Sequence, residues 1–255
     1  MDLGLQGKTA LVTGGAKGIG SGISEVFAQE GANVAILYHS DAQACEAFAV
    51  RLAEQYGVHT WAMATDVGVE AEVEQAFQAA EQEFGSLDIL VNNAGYCPTC
   101  AIDEMDLETW EYTLRTNLTG LFLLSRAMVR HLRQAERPGA IINILSKAAI
   151  SAATPGRTAY NASKAGGVGF TKTLAREVTG YGIRVNGVLP GMVTSSKPIE
   201  HYGRGKEEFA KRLATIPIGK AGRPSDIANM VAMLASDKSE FAIGSIVDMT
   251  GGMLL

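Results

Sequence analysis

The sequence predicts a doubly wound α/β fold, a parallel sheet of about seven strands with helices on both faces. Three observations carry that expectation. Short apolar runs alternate with helix-like segments along the 255 residues. The runs are apolar throughout instead of alternating with polar residues, as strands buried on both faces require. A glycine-rich turn, Thr13-Gly14-Gly15-Ala16-Lys17-Gly18-Ile19-Gly20, joins the first run to the first helical segment. No internal repeat, linker or low-complexity stretch divides the chain, so one domain is expected over residues 1–255.

Residues 8–12 and 33–38 read as the first two strands, with a helix from Ser21 between them that stops at Gly31. A second helix over 42–56 ends at Gly57 and leads into a third strand, 58–65. The third helix, 69–84, closes at Gly85 before the strand 89–91. Residues 107–133 are helical in pattern with an interruption near Gly120, and 140–145 form the fifth strand. A long helix over 160–181 precedes the last two strands, 184–189 and 245–249. The stretch 192–219 lacks strand character, and its glycines, charges and prolines predict a mobile flap. The apolar ending, residues 249–255, suits burial at a subunit contact better than a free tail.

Composition narrows the partners. A net charge of −5 opposes a nucleic-acid surface. No apolar run approaches the roughly 20 residues that span a bilayer, and the first residues do not resemble a signal peptide, so a cytoplasmic protein without membrane association is expected. His39, His59, His131 and His201 are scattered, and Cys97-Pro98-Thr99-Cys100 has no second pair to complete a zinc site. No metal is expected, and these cysteines read as small loop residues.

In such a fold ligands bind beyond the carboxyl ends of the strands. At the first strand end, Gly14 supplies the turn, Gly18 lets the main chain approach a ligand and Gly20 lets helix and strand pack. Free N–H groups in the helix's first turn then face an anion, as in dinucleotide binding. After the second strand come Tyr38, His39 and Ser40, where an acid would select NAD. Its absence, with Lys17 able to approach a 2′-phosphate and Asp41 lying past the strand end, favours NADP(H) over NAD(H). Asp66, followed by Val67, reads either as an adenine partner or as the cap of the next helix. Asn92-Asn93-Ala94-Gly95 ends the fourth strand with amide groups and space for a flat ring. Tyr160 and Lys164 share a helix face at i and i+4, so the ammonium is expected to lower the phenol's pKa towards working pH. Ser146 closes the fifth strand, and Asn117 sits in a helical pattern that it does not favour, which suggests an inward hydrogen bond or a kink.

The motifs Thr13–Gly20, Asn92–Gly95, Tyr160–Lys164 and Pro190-Gly191-Met192-Val193-Thr194 occur in the order and register of the short-chain dehydrogenase/reductase family, which the chain resembles over its whole length. The resemblance implies a Rossmann-like fold and an NAD(P)-dependent oxidoreductase that interconverts a carbonyl and a secondary alcohol. By the same resemblance Tyr160 is the acid/base, Ser146 polarises the substrate oxygen, Lys164 binds the nicotinamide ribose and Asn117 holds a water. Gly14, Lys17, Gly18, Ile19, Gly20, Tyr38, His39, Ser40, Asp66, Val67, Asn93, Ala94, Gly95, Tyr160, Lys164, Pro190, Gly191, Val193 and Thr194 would hold the dinucleotide. Ser146 stands fourteen residues before Tyr160, one more than is usual in the family, which places an insertion in the segment 147–158. Tyr96, Cys97, residues 147–157 and the 192–219 flap flank the substrate. Residues 5–10 and Tyr38-His39-Ser40 resemble members acting on sugars, polyols or small ketones; 3-oxoacyl-thioester reduction is the alternative, and a non-catalytic cofactor sensor a further one. The family's usual assembly implies a homotetramer or homodimer.

Overall fold

Strands β1 (Thr9–Thr13), β2 (Asn33–Tyr38), β3 (Thr60–Ala64), β4 (Ile89–Asn92), β5 (Gly139–Ile144), β6 (Ile183–Pro190) and β7 (Ile246–Met249) form one parallel sheet in the order β3-β2-β1-β4-β5-β6-β7. This is a computed structural model, and it describes residues 1–152, 154–194 and 205–255. The chain starts at the centre of the sheet, winds outwards to β3, then returns past β1 to build the other half. The reversal lies between β1 and β4, where Val12 pairs with both Ile36 and Val91, so a crevice opens beyond the carboxyl ends of these strands.

Helices α1 (Gly18–Gln29), α2 (Ala42–Tyr56), α3 (Glu70–Phe84), α4 (Leu107–Leu114), α5 (Gly120–Gln134), α6 (Thr158–Val178), α7 (Gly205–Ala214) and α8 (Pro224–Ala235) connect the strands. Alternate residues of each strand serve opposite faces. Ala10, Val12, Val34 and Ile36 pack with α1, α2 and α8, whereas Leu11, Ala35 and Leu37 pack with α3, α5 and α6. Both faces of the five inner strands are therefore buried, whereas the edge strands β3 and β7 are partly exposed. The architecture is the Rossmann-like doubly wound sheet that the sequence predicts.

Three elements depart from the sequence reading. Helix α8 is an addition: its Ile227, Ala228, Val231 and Ala232 are buried, and it crosses α1 at Gly22, where a Cβ would stand 2.6 Å from that of Pro224. Between α4 and α5 the helical pattern runs through a π-helical turn, Arg115–Thr119, which precedes Gly120 instead of centring on it. A Cβ on Gly120 would stand 2.9 Å from the Val67 side chain, so packing, not bending, requires that glycine. In the expected flap, Val193 bridges to Gly222 and residues 205–214 form α7, while 195–204 lie outside the described residues. The apolar end is not a tail: Ile218 N–H donates to Gly251 O at 3.2 Å. Among the described residues no helix is long and apolar enough to cross a membrane.

Candidate active site

The glycine loop has the geometry its sequence requires. Gly14 and Gly18 take positive φ, and the space that a Gly18 side chain would fill is open. A Cβ on Gly20 would stand 2.1 Å from Gly14 O, so that glycine allows the helix to sit on the turn. The N-terminus of α1 starts after Lys17 with no side-chain cap, leaving the N–H groups of Gly18, Ile19 and Gly20 without one. Thr13 Oγ1 accepts from Asn93 N and Ala94 N at 2.9 Å each, and Asn93 Nδ2 donates to Thr13 O at 2.9 Å. These bonds fasten the end of β4 to the loop. A cavity of about 380 Å³ runs from Gly14 and Lys17 past Tyr38, His39, Ser40, Asp66 and Val67 to Asn93, Ala94 and Gly95.

The far end of this slot adds one contact and excludes one reading. Asp41 lies past the end of β2, as expected, and there it adopts φ 66°, a left-handed conformation, with its carboxylate 2.9 Å from Lys17 Nζ. The ammonium beside it holds the Asp41 carboxyl below its ordinary range. Lys17 is therefore shared with a carboxylate before any phosphate reaches it. Tyr38 is buried and donates its hydroxyl to Glu46 Oε1 at 3.2 Å, so it offers the slot an apolar wall. Asp66 does not cap α3, whose N-cap is Val69. Its Oδ1 accepts from Gly68 N at 2.8 Å and shapes the turn before the helix.

At the near end, the ends of β4, β5 and β6 gather the predicted catalytic residues. Lys164 is only 5 % exposed; its Nζ donates to Ile144 O at 2.8 Å and lies 5.8 Å from the centre of the Tyr160 ring. A Cβ on Gly95 would come within 3.7 Å of that Nζ, so the slot ends against the ammonium. Asn117, within the π-helical turn, accepts from Tyr96 N at 2.7 Å and donates to Tyr96 O at 2.8 Å and Ser163 Oγ at 2.9 Å. Of the two expectations for Asn117, an inward hydrogen bond or a kink, the inward hydrogen bond is present. Ser146 follows β5, and its Oγ accepts from Ala148 N at 3.1 Å in the short helical turn Lys147–Ala149. A buried polar chain, Ser125–Asn92–Asn143–Thr171, stiffens β4 and β5 beneath these groups.

The electrostatics reverse one expectation. Burial raises the Tyr160 phenol above its ordinary value; the Ser146 hydroxyl bonded to it and the Arg157 cation oppose this without overcoming it. Burial also lowers Lys164 to about 8. The phenol is therefore not drawn down as the i, i+4 spacing predicts, because its burial is the largest influence on it. Pro190 ends β6, and Gly191 approaches Thr250 so closely that a Cβ would stand 2.8 Å from its Cα. Thr194 N donates to Gly222 O at 2.9 Å, which holds the 190–194 segment beside the other strand ends but outside the slot's lining.

Sequence reasoning missed Tyr112 and Thr116, which also line the slot, whereas Arg157, in the segment expected to flank the substrate, acts on Tyr160. Only Thr116, beside Asn117, carried a local signal. Cys97, read as a loop residue, stands within electrostatic range of Tyr160, Lys164 and Arg157. Among the described residues no three His, Cys, Asp or Glu side chains cluster as metal ligands.

Comparison with known proteins agrees with this geometry. A family model described as enoyl-(acyl carrier protein) reductase matches residues 14–254. The 3-oxoacyl-[acyl-carrier-protein] reductase FabG of Staphylococcus aureus (strain N315) is 39% identical over 249 residues, covering 97% of this chain and 98% of its own. The protein of the same name from Vibrio cholerae is 37% identical over 253 residues, covering 99% and 100%. A solved structure from Sinorhizobium meliloti 1021, described as a short-chain alcohol dehydrogenase, superposes with a TM-score of 0.92 at 33% identity and covers 100% of this chain and 99% of its own.

Proposed function

The chain belongs to the short-chain dehydrogenase/reductase family, and from that premise we propose that it reduces the ketone of a 3-oxoacyl thioester to the corresponding alcohol with NADP(H). The observation that carries the reading is the Tyr160–Lys164 pair beside Ser146, at the end of a slot shaped for a dinucleotide. A phenol whose pKa is raised stays protonated at neutral pH, which suits it to give a proton to a ketone oxygen. Ser146 donates a second hydrogen bond to that oxygen, and the two together favour charge developing on it. Lys164 supplies positive charge behind Tyr160. Both Asn117 amide hydrogens are already used, so a proton-relaying water would be held through an Asn117 oxygen.

The residues present fit a nicotinamide dinucleotide. The uncapped α1 terminus and the open space at Gly18 suit a pyrophosphate held by Gly14, Gly18, Ile19 and Gly20. Tyr38, His39 and Ser40 would take the adenosine ribose, and Asp66 and Val67 the adenine. Asn93, Ala94 and Gly95 would hold the middle of the cofactor. Lys164 and Tyr160 would contact the nicotinamide ribose, with Pro190, Gly191, Val193 and Thr194 on the carboxamide. When bound, the cofactor supplies the hydride. NADP(H) is favoured because Tyr38 stands where an acid would repel a 2′-phosphate and Lys17 is at hand, although Asp41 competes for that ammonium. The whole chain acts as one cofactor-binding domain, with residues 192–219 flanking the substrate.

The 3-oxoacyl reading rests on the names of the relatives and displaces sugars, polyols and small ketones. The test follows NADPH and NADH consumption in parallel with a 3-oxoacyl thioester, a keto-sugar and a simple ketone. The thioester with NADPH should give the highest kcat/KM, and Tyr160→Phe should reduce its turnover by about 10²–10⁴-fold while dinucleotide binding persists. Preference for the keto-sugar, or wild-type turnover in the Phe variant, would overturn the reading.

A further inference from the structure

Arg115 opens the π-helical turn Arg115–Thr119, whose third residue is Asn117. The turn serves both ends of the slot. Asn117 bonds the main chain of Tyr96 at the near end, and Arg115 reaches Asp66 at the far end, with Nη2 4.0 Å from Oδ2. The Arg115 guanidinium also lies over the Tyr112 ring, 5.3 Å from its centre. Tyr112 in turn meets Tyr96 edge to face, with ring centres 4.9 Å apart. Asp66, Tyr112 and Tyr96 line the slot, and Arg115 stands behind them and joins the first two.

Two observations make this more than a surface ion pair. Room is left for the arm: a Cβ on Gly68 would stand 2.7 Å from Arg115 Cγ and 3.2 Å from Asp66 Oδ1. Gly68 does not take positive φ, so space and not conformation requires glycine there. The same slot also holds unmatched polar groups: Thr65 Oγ1 and Thr116 Oγ1 are buried, have no hydrogen-bond partner among the described residues, and belong to residues that line it with Asp66. Buried hydroxyls are seldom left so, and these two mark the slot for a ligand with a polar edge. A half-exposed ion pair at 4.0 Å adds little to folding, so the arrangement is better explained by what the slot receives.

We propose that Arg115 is a positioning residue for the adenine of the cofactor. Gly68 N holds Asp66 Oδ1 at 2.8 Å and Arg115 faces Oδ2, so the carboxylate is steadied from both sides while lone pairs remain for an exocyclic amine. The flat guanidinium steadies the Tyr112 ring at the same time, which the compact ammonium of a lysine does less well. An acceptor and an aromatic face set in advance spare the base the cost of ordering them. The inference rests on the dinucleotide reading and adds Arg115 to it. Its effect belongs to the adenine half of the cofactor and not to the nicotinamide half.

Titration calorimetry on the full chain, as wild type, Arg115→Ala and Arg115→Lys, gives Kd for NADPH and for 2′,5′-ADP and AMP, which carry adenine without nicotinamide. Arg115→Ala should raise all three Kd values by a common factor of about three- to tenfold. The thermal midpoint of the unliganded variant should stay close to that of the wild type. Arg115→Lys keeps the charge but not the flat face, and should recover part of the loss. If Arg115→Ala does not fold, Arg115→Lys against the wild type decides, with a smaller common rise expected. Unchanged Kd values, a loss confined to NADPH, or a thermal midpoint that falls in step with binding overturns the role of Arg115 and leaves the cofactor reading standing. A wild type that binds none of the three ligands, nor NADH, overturns both.

Discussion

Lys164 ties chemistry to pH. Burial brings its pKa from 10.5 to about 8, so near neutral pH it is an ammonium with little margin. As pH rises through about 8 it becomes an amine and no longer presents charge to Tyr160, whose own proton is held more tightly than usual. We expect kcat/KM for reduction to fall above about pH 8, and in Lys164→Arg the fall should move to higher pH because a guanidinium does not deprotonate there. A fall at the same pH in that variant would assign the titration to another group. The sign for stability is opposite. Between about 8 and 10.5 the unfolded chain holds the Lys164 proton and the folded chain does not, so this group makes the protein more stable as pH rises through that window. Asp41 offers a second test at this scale. Asp41→Asn releases Lys17 from its carboxylate partner, and the NADPH-to-NADH ratio of kcat/KM should rise several-fold. A ratio that stays put would mean that Lys17 does not meet the 2′-phosphate.

At the scale of elements, the π-helical turn between α4 and α5 turns Asn117 inwards to join three segments: its own helix, the loop at Tyr96 and α6 at Ser163. Asn117→Ala removes three hydrogen bonds and leaves the Tyr96 N–H and carbonyl unmatched. It should cost about 2–4 kcal/mol, read as a lower midpoint in urea with an unchanged slope; an unchanged midpoint would show that the joint is not needed. This joint also shows where sequence legibility ends. That Asn117 is unusual follows from one local fact, a poor helix former inside a helical pattern, but its partners lie 21 and 46 residues away, and no spacing encodes them. The glycine loop and the Tyr160–Lys164 pair were readable because their chemistry is local. The Lys17–Asp41 pair was not, since it depends on a left-handed residue at Asp41 that brings the carboxylate back. Helix α8 carried local start signals that went unread, Pro224 at its first position and Asp226 in its first turn. The direction of the Tyr160 shift depends on how deeply the packed fold buries the phenol, which no pattern of residues states.

For the molecule as a whole, the open question is what covers the β7 side of the sheet. β7 is an edge strand with unpaired main-chain groups on one side, and a parallel sheet rarely leaves such an edge bare. Phe241, shortly before it, and Leu255, shortly after it, are fully exposed, and Ile218 is largely so. Ile218 and Leu255 are brought together because the chain end folds back: Gly251 accepts from Ile218 N, and Gly252 packs against Pro217 and near Leu255. One exposed apolar residue needs no explanation, but an edge strand flanked by several marks a contact surface. A second copy of the chain is the natural occupant, since a two-fold axis lets the same patch cover itself. The protein should therefore sediment as a homo-oligomer, with a tetramer expected at about four times the 26.9 kDa chain mass. The double variant Ile218→Asp/Leu255→Asp should at least halve that mass at micromolar concentration while keeping the far-ultraviolet dichroism of the wild type. A monomeric wild type would sink the assembly itself, whereas an intact oligomer in the double variant would move the contact to the helical faces, with the exposed Phe122 on α5 the next place to test.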